Sequence, residues 1–320
     1  MGRAGLQALR SPPAAVRRLS TPVTPAATSH DAPTALLTIA ALVAFAGNSL
    51  LCRLALTRTS IDAASFTTIR IVAGAVVLLL VVRLRDRGRS VVLRQPSSAH
   101  GSGSWISALA LFAYAAGFSF AYVRLTAGTG ALLLFGAVQA TMISVGVLRG
   151  ERLRAVQWCG LLLAYAGLVA LVLPGLAAPP LVSALLMLGA GVAWGAYSLR
   201  AKAAGDPTSV TAGNFARAIP MAIAVSLVML PARSIDGAGA AYAIASGAVA
   251  SGVGYAIWYT ALRTLRATTA ATVQLSVPVL AALGGVVLLA EPLTVRLVLT
   301  GAAILGGVAL VVLARPRAAR

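Results

Sequence analysis

Ten apolar runs recur between residues 34 and 314, each close to the ~20 residues that an α-helix needs to cross a ~30 Å hydrocarbon core. A bilayer offers the backbone no water, so such runs must close their own hydrogen bonds as helices. The spans are expected at 34–54, 62–82, 104–123, 128–148, 154–174, 180–200, 208–230, 237–262, 268–289 and 294–314. Short joins, such as Arg124 to Ala127 and Arg263 to Ala267, make neighbouring spans antiparallel.

Charge agrees with this reading. Soluble domains carry roughly 25% charged residues, whereas this chain carries 10% and is 59% hydrophobic. The net charge of +19 would suit nucleic acid if it lay on a polar domain. It lies instead in the gaps between apolar runs, so the expected partner is the lipid bilayer and not nucleic acid. With the N-terminus inside, the inner segments hold 19 of the 26 Lys and Arg, the outer ones hold 5, and Arg70 and Arg217 fall within spans. That bias places both termini in the cytoplasm of a cell with an inner, cytoplasmic membrane.

Residues 1–33 lack an apolar run and are rich in Pro, Ser, Thr, Ala and Arg. They read as a disordered basic cytoplasmic tail, or as the product of a start codon placed too far upstream; a transit peptide is the other reading of Arg3, Arg10, Arg17 and Arg18. Residues 315–320 form a second basic tail. Cys52 and Cys159 lie in apolar runs, and His30 and His100 lie outside them. That inventory points to no disulfide framework, no metal, no cofactor and no catalytic triad. A membrane-embedded enzyme would need clustered acids or histidines, so no enzymatic activity is expected.

The chain also repeats itself. A shift of 140 residues sets Thr129 on Thr269, Glu151 on Glu291, Leu153 on Leu293, Gly167 on Gly307 and Phe118 on Trp258. A nearby shift sets Phe45, Asn48, Ser49 and Arg53 on Trp194, Tyr197, Ser198 and Lys202, with Arg70 two residues off Arg217. Two five-helix copies, 34–174 and 175–314, are expected. Five is odd, so the second enters the membrane from the opposite side. Inverted repeats of this kind characterise secondary transporters, with the binding site near the midplane between the halves.

The carriers of a family resemblance are FAGNSLLCR at 45–53, the stretch 65–73 containing Arg70, and the Glu-Arg-Leu beginning at Glu151. In the second half they are AWGAYSLR at 193–200 and the run from Gly254 to Leu293. With the 5+5 layout, these residues resemble the drug/metabolite transporter superfamily, EamA type, over about 34–314. The resemblance implies a central cavity between the repeats and export of amino acids, metabolites or drugs.

Several residues carry two readings each. Arg70 and Arg217 are intramembrane cations, which usually face an interior or a wet cavity. They bind an anionic group of the solute, or they brace the bundle through backbone carbonyls. Glu151 and Glu291 are expected to begin the fifth and tenth helices and complement their dipoles; proton coupling is the alternative. Tyr114, Phe118 and Tyr122 recur every four residues, and Tyr255, Trp258 and Tyr259 share a helix face; such aromatics line an amphipathic cavity or anchor at the headgroups. Tyr259, near a span end, is expected to anchor. Asn48, Gln139, Tyr197, Asn214 and Gln274 are polar groups within spans that need partners. Pro278 removes a backbone donor mid-span and is expected to kink the ninth helix as a hinge.

The expectation is therefore an all-α integral membrane protein with ten transmembrane helices in two inverted five-helix repeats. Its expected function is alternating-access transport of a small organic solute, in the export direction. The substrate-binding candidates are Asn48, Arg70, Tyr114, Phe118, Gln139, Tyr197, Arg217, Tyr255, Trp258 and Gln274. Partners are a small-molecule substrate, the bilayer and, as a homodimer, a second copy. A channel or a non-transporting scaffold is the alternative.

Overall fold

A computed structural model describes residues 31–87, 103–201 and 206–314, which are helical throughout apart from turns and connections. Ten helices are long and apolar enough to cross a membrane. They are α1 (Asp31–Arg58), α2 (Ala63–Arg87), α3 (Trp105–Tyr122), α4 (Ala127–Leu148), α5 (Ala155–Val172), α6 (Leu181–Ala201), α7 (Pro207–Val228), α8 (Gly237–Leu262), α9 and α10 (Val295–Leu313). α9 is Ala267–Gln274 followed by Ser276–Leu289. α1 begins at Asp31, slightly before the expected boundary. The two basic tails, as residues 1–30 and 315–320, lie outside the described residues, as does Lys202.

The short connections work because capping residues stand where the chain must re-enter a helix. Asp62 accepts from the Ala64 and Ser65 amides at 2.9 Å, opening α2. Asp206 accepts from Ser209 N–H, with Pro207 at the first helical position of α7. Ser104, Thr126, Asp236 and Thr294 cap α3, α4, α8 and α10 in the same way. Each such cap supplies about 1 kcal/mol by satisfying an orphan N–H.

The two glutamates correct an expectation. Neither begins its helix: α5 follows Arg154 and α10 follows Thr294. Pro292 follows Glu291, and Ala290 takes a left-handed conformation at φ 54° that ends α9. The carboxylate is thereby turned toward a neighbour. Glu291 Oε2 accepts from the Ala127 amide of α4 at 2.7 Å, and Oε1 accepts from Arg53 Nε at 2.9 Å. The helix dipole that Glu291 complements is that of α4.

Two spans are irregular. The middle of α8, Ala245–Val253, is π-helical, a rare geometry that often marks functional sites. α9 breaks at Leu275, after Gln274. Pro278 has no N–H to give the Gln274 carbonyl four residues back, so the expected interruption falls there.

α5 packs on α10, α2 on α7, α4 on α9, α3 on α6 and α7, α1 on α8 and α9, α2 on α8, and α4 on α6. Exchanging each helix with the one five places away carries this set into itself. The α5–α10 contact needs two glycines: a Cβ on Gly160 would lie 2.6 Å from Gly307 O, and one on Gly307 would lie 2.5 Å from Gly160 O. Such small surfaces let backbones approach in lipid, where packing has to replace the hydrophobic drive. The outer faces carry exposed aliphatics, among them Leu80, Ile106, Leu162, Val182, Val287 and Leu299. In water that belt would be untenable; hydrocarbon solvates it.

Candidate functional site

Five helices deliver aromatic side chains to one region of the bundle. Trp194 of α6 stacks on Tyr197 at 5.1 Å and on Tyr255 of α8 at 5.5 Å, with interplanar angles of 26° and 18°. Tyr114 of α3 lies 4.7 Å from Trp194, and Phe118 lies 5.6 Å from Tyr114. Phe45 of α1 packs on Tyr255 and edge-on against Trp258, and Phe215 of α7 meets Tyr255. Tyr122 continues the α3 row, 4.7 Å from Phe118. The four-residue spacing of Tyr114, Phe118 and Tyr122 puts them on one face of α3.

Arg70 enters this cluster from α2. It is 2% exposed, and its guanidinium carbon lies 4.7 Å from the Phe118 ring centroid and 5.4 Å from that of Tyr114. Its buried Nη1 has no hydrogen-bond partner among the described residues. Its backbone is gripped as well, since a Cβ on Gly247 of the π-helical segment would fall 2.1 Å from Arg70 O.

A polar chain runs beside the guanidinium. Asn48 Nδ2 donates to Tyr114 Oη at 3.3 Å, and Ser246 Oγ donates to Asn48 Oδ1. A second chain joins Tyr197 Oη to Thr211 at 3.2 Å, Thr211 to Tyr259 Oη at 2.9 Å, and Asn214 Nδ2 to Tyr197 Oη at 3.4 Å. Tyr259 therefore turns inward, and the expected headgroup anchor is corrected by that bond and by its stack on Tyr255.

Seven of the ten candidates meet here: Asn48, Arg70, Tyr114, Phe118, Tyr197, Tyr255 and Trp258. Three do not. Arg217 is half-buried, donates to Gly213 O of its own helix at 3.1 Å, and lies beside Gly103. The two arginines are thus not equivalent, and the two-residue offset between them fits that difference. Gln139 is buried in α4 and Gln274 ends the first part of α9; no hydrogen bond among the described residues joins either to the cluster. Reasoning from the sequence missed Trp194, Phe45, Phe215 and Ser246. The repeat sets Phe45 on Trp194, and both close on Tyr255; nothing in the sequence marks Ser246, which only the π-helical turn brings to Asn48.

The cluster is tied at two ends of the bundle. At the Arg53 end, Arg53 Nη1 also donates to the carbonyls of Tyr122 and Val123 at 2.9 and 3.1 Å, fastening α1 to the α3–α4 turn and to Glu291. At the other end of α2, Asp206 lies 3.4 Å from Arg85 and 3.6 Å from Arg263. Two cavities flank α2, one of about 450 Å³ lined by residues such as Val72, Val76 and Ile244, the other of about 230 Å³ reaching Ser226 and Arg233. Neither is lined by a ring of the cluster. Among the described residues no group of His, Cys, Asp and Glu is placed to hold a metal.

Comparison with known proteins agrees with this architecture. An uncharacterized protein of Pseudomonas aeruginosa is 55% identical over 291 residues, covering 91% of this chain and 98% of its own. A solved crystal structure, 22% identical, matches 88% of this chain and 98% of its own with a TM-score of 0.60, which concerns the fold alone. The model of the EamA-like transporter family matches residues 181–313, the second half described above. The chain belongs to the EamA-like transporter family.

Proposed function

We propose that the protein is a secondary transporter that exports a small organic solute by alternating access between two inverted five-helix repeats. One observation carries the reading: α1, α2 and α3 of the first half and α6, α7 and α8 of the second bring their aromatic and polar side chains together around Arg70. These are equivalent helices of the two copies, and a site between repeats is where such carriers bind.

The charge bias supports a cytoplasmic membrane with both termini on its cytoplasmic side. In that orientation the Arg53–Glu291 tie faces outside and the Asp206 cluster faces inside. Closing one while opening the other exposes the aromatic region to each side in turn. Pro278, where α9 is already interrupted, supplies a place to bend.

Counterflow in proteoliposomes tests the reading. Vesicles are preloaded with a mixed pool of amino acids and aromatic metabolites, and efflux is followed on addition of unlabelled compound outside. A carrier gives saturable efflux, accelerated from the opposite side and reduced in Trp258→Ala. Flux that never saturates and is never accelerated points to a channel. Normal transport in Trp258→Ala and Arg70→Ala variants present at normal levels contradicts the site.

A further inference from the structure

Resting on that reading, we infer that Arg70 is the subsite for the carboxylate of an organic monoanion with an apolar, ring-sized body. The first support is an unbalanced charge. Arginine cannot lose its proton in a protein, so burial cannot be relieved by neutralisation. An uncompensated buried ion is costly, and cation–π contacts return only part of that cost. Phe118 and Tyr114 leave that cost partly unmet, and Nη1 is left without a partner.

Among the described residues no carboxylate forms an ion pair with Arg70. The seven carboxylates are Asp31, Asp62, Asp86, Glu151, Asp206, Asp236 and Glu291. Every one stands at a helix end or in a connection, whereas Arg70 is the eighth residue of α2. Ion pairs among the described residues use Arg53, Arg85 and Arg263. The counterion has to arrive with the solute.

The surroundings narrow its chemistry. A guanidinium matches a planar carboxylate with two parallel bonds. One buried positive charge is neutralised by one negative charge; a dianion would leave an excess, and Arg217 is held elsewhere by Gly213. A zwitterion brings a second cation, and the residues of the cluster, Asn48, Arg70 and the aromatic rings, include no carboxylate to meet it. The rings of Trp194, Tyr255 and Tyr114, packed on one another in this structure, match an apolar, ring-bearing body in character.

The test uses the full chain in lipid nanodiscs and three matched probe sets: phenylacetate, indole-3-acetate and hexanoate, each with its neutral amide and its amine. Binding is read by calorimetry, and thermal stability is read without ligand. At least one carboxylate should bind about tenfold or more tightly than its amide, the usual range for a hydrogen bond to a charged group. That ratio should fall to about one in Arg70→Gln, and ligand-free Arg70→Gln should melt at a higher temperature than the parent, because an unpaired buried charge has gone. Carboxylates that never exceed their amides, a preference that survives in Arg70→Gln, or a ligand-free melting point that falls would each overturn the inference. Arg70 would then be a brace. Counterflow of a neutral or cationic solute in the same preparation would leave the transporter reading standing while the carboxylate subsite fell.

Discussion

Arg53 and Glu291, 238 positions apart in the chain, meet with Nε and Oε1 at 2.9 Å, and the same carboxylate caps α4 through Ala127 N–H at 2.7 Å. One side chain thus joins α1, α4 and the α9–α10 connection, with both partners largely buried. Glu291→Ala should cost about 2–4 kcal/mol, between losing a helix cap and breaking a buried pair. Thermal unfolding of the purified protein checks it. Arg53→Met with Glu291→Met should cost less than the two single changes together; strict additivity would show that the two residues do not act on each other.

Gly247 touches the Arg70 backbone so closely that any side chain has to push α2 and α8 apart. Gly247→Ala should destabilise by about 1–3 kcal/mol, the usual cost of overpacking. Gly47 has nothing within 4 Å of an added Cβ. Gly47→Ala should be neutral or gain about 0.5–1 kcal/mol from helix propensity. Equal effects at the two sites would contradict the packing of α8 on α2.

Asp62 closes the turn between α1 and α2 and accepts from Ser234 N–H at 3.0 Å. Burial pushes its carboxyl up, but bonds from Ser65, Ser234 and Ala64 outweigh this and hold it below the ordinary value of 3.8. A depressed carboxylate stabilises the fold above its unfolded value, and that stability is lost as pH falls through the folded value. The melting-point gap between the parent and Asp62→Asn should be constant from pH 7 to 5 and shrink below about pH 4. A gap unchanged at pH 3 would contradict the hydrogen-bonded carboxylate.

Pro278→Ala restores a donor to the Gln274 carbonyl and should raise stability by about 1 kcal/mol or more. Turnover in counterflow should fall several-fold if the break in α9 is the bend used in transport. A stabilised variant with unchanged turnover would make Pro278 a fixed kink.

The ten spans are legible because bilayer crossing imposes length and apolarity on each helix separately, so Arg58, Arg87 and Arg200 sit near helix ends as expected. Seven residues of the aromatic and polar cluster are legible because a polar or aromatic group within an apolar run seldom faces lipid. Partners across the bundle are another matter. Glu291 looks like the cap of its own helix until Ala290 and Pro292 turn it toward Ala127. Arg217 looks like the twin of Arg70, yet its place along α7 puts it beside Gly103. Ser246 reaches Asn48 only through the π-helical turn, which no periodicity in the sequence signals.

Alternating access requires the aromatic region around Arg70 to open to both sides of the membrane. Tyr114→Cys, in a background with Cys52→Ser and Cys159→Ser, can be challenged with a membrane-impermeant thiol reagent in right-side-out and inside-out vesicles. Modification is expected from each side, with opposite-side protection when the protein is held in one state by a bound solute. Protection from both sides under every condition, in protein confirmed to be folded, would make the cluster a permanently packed core and rule out a site reached by alternating access.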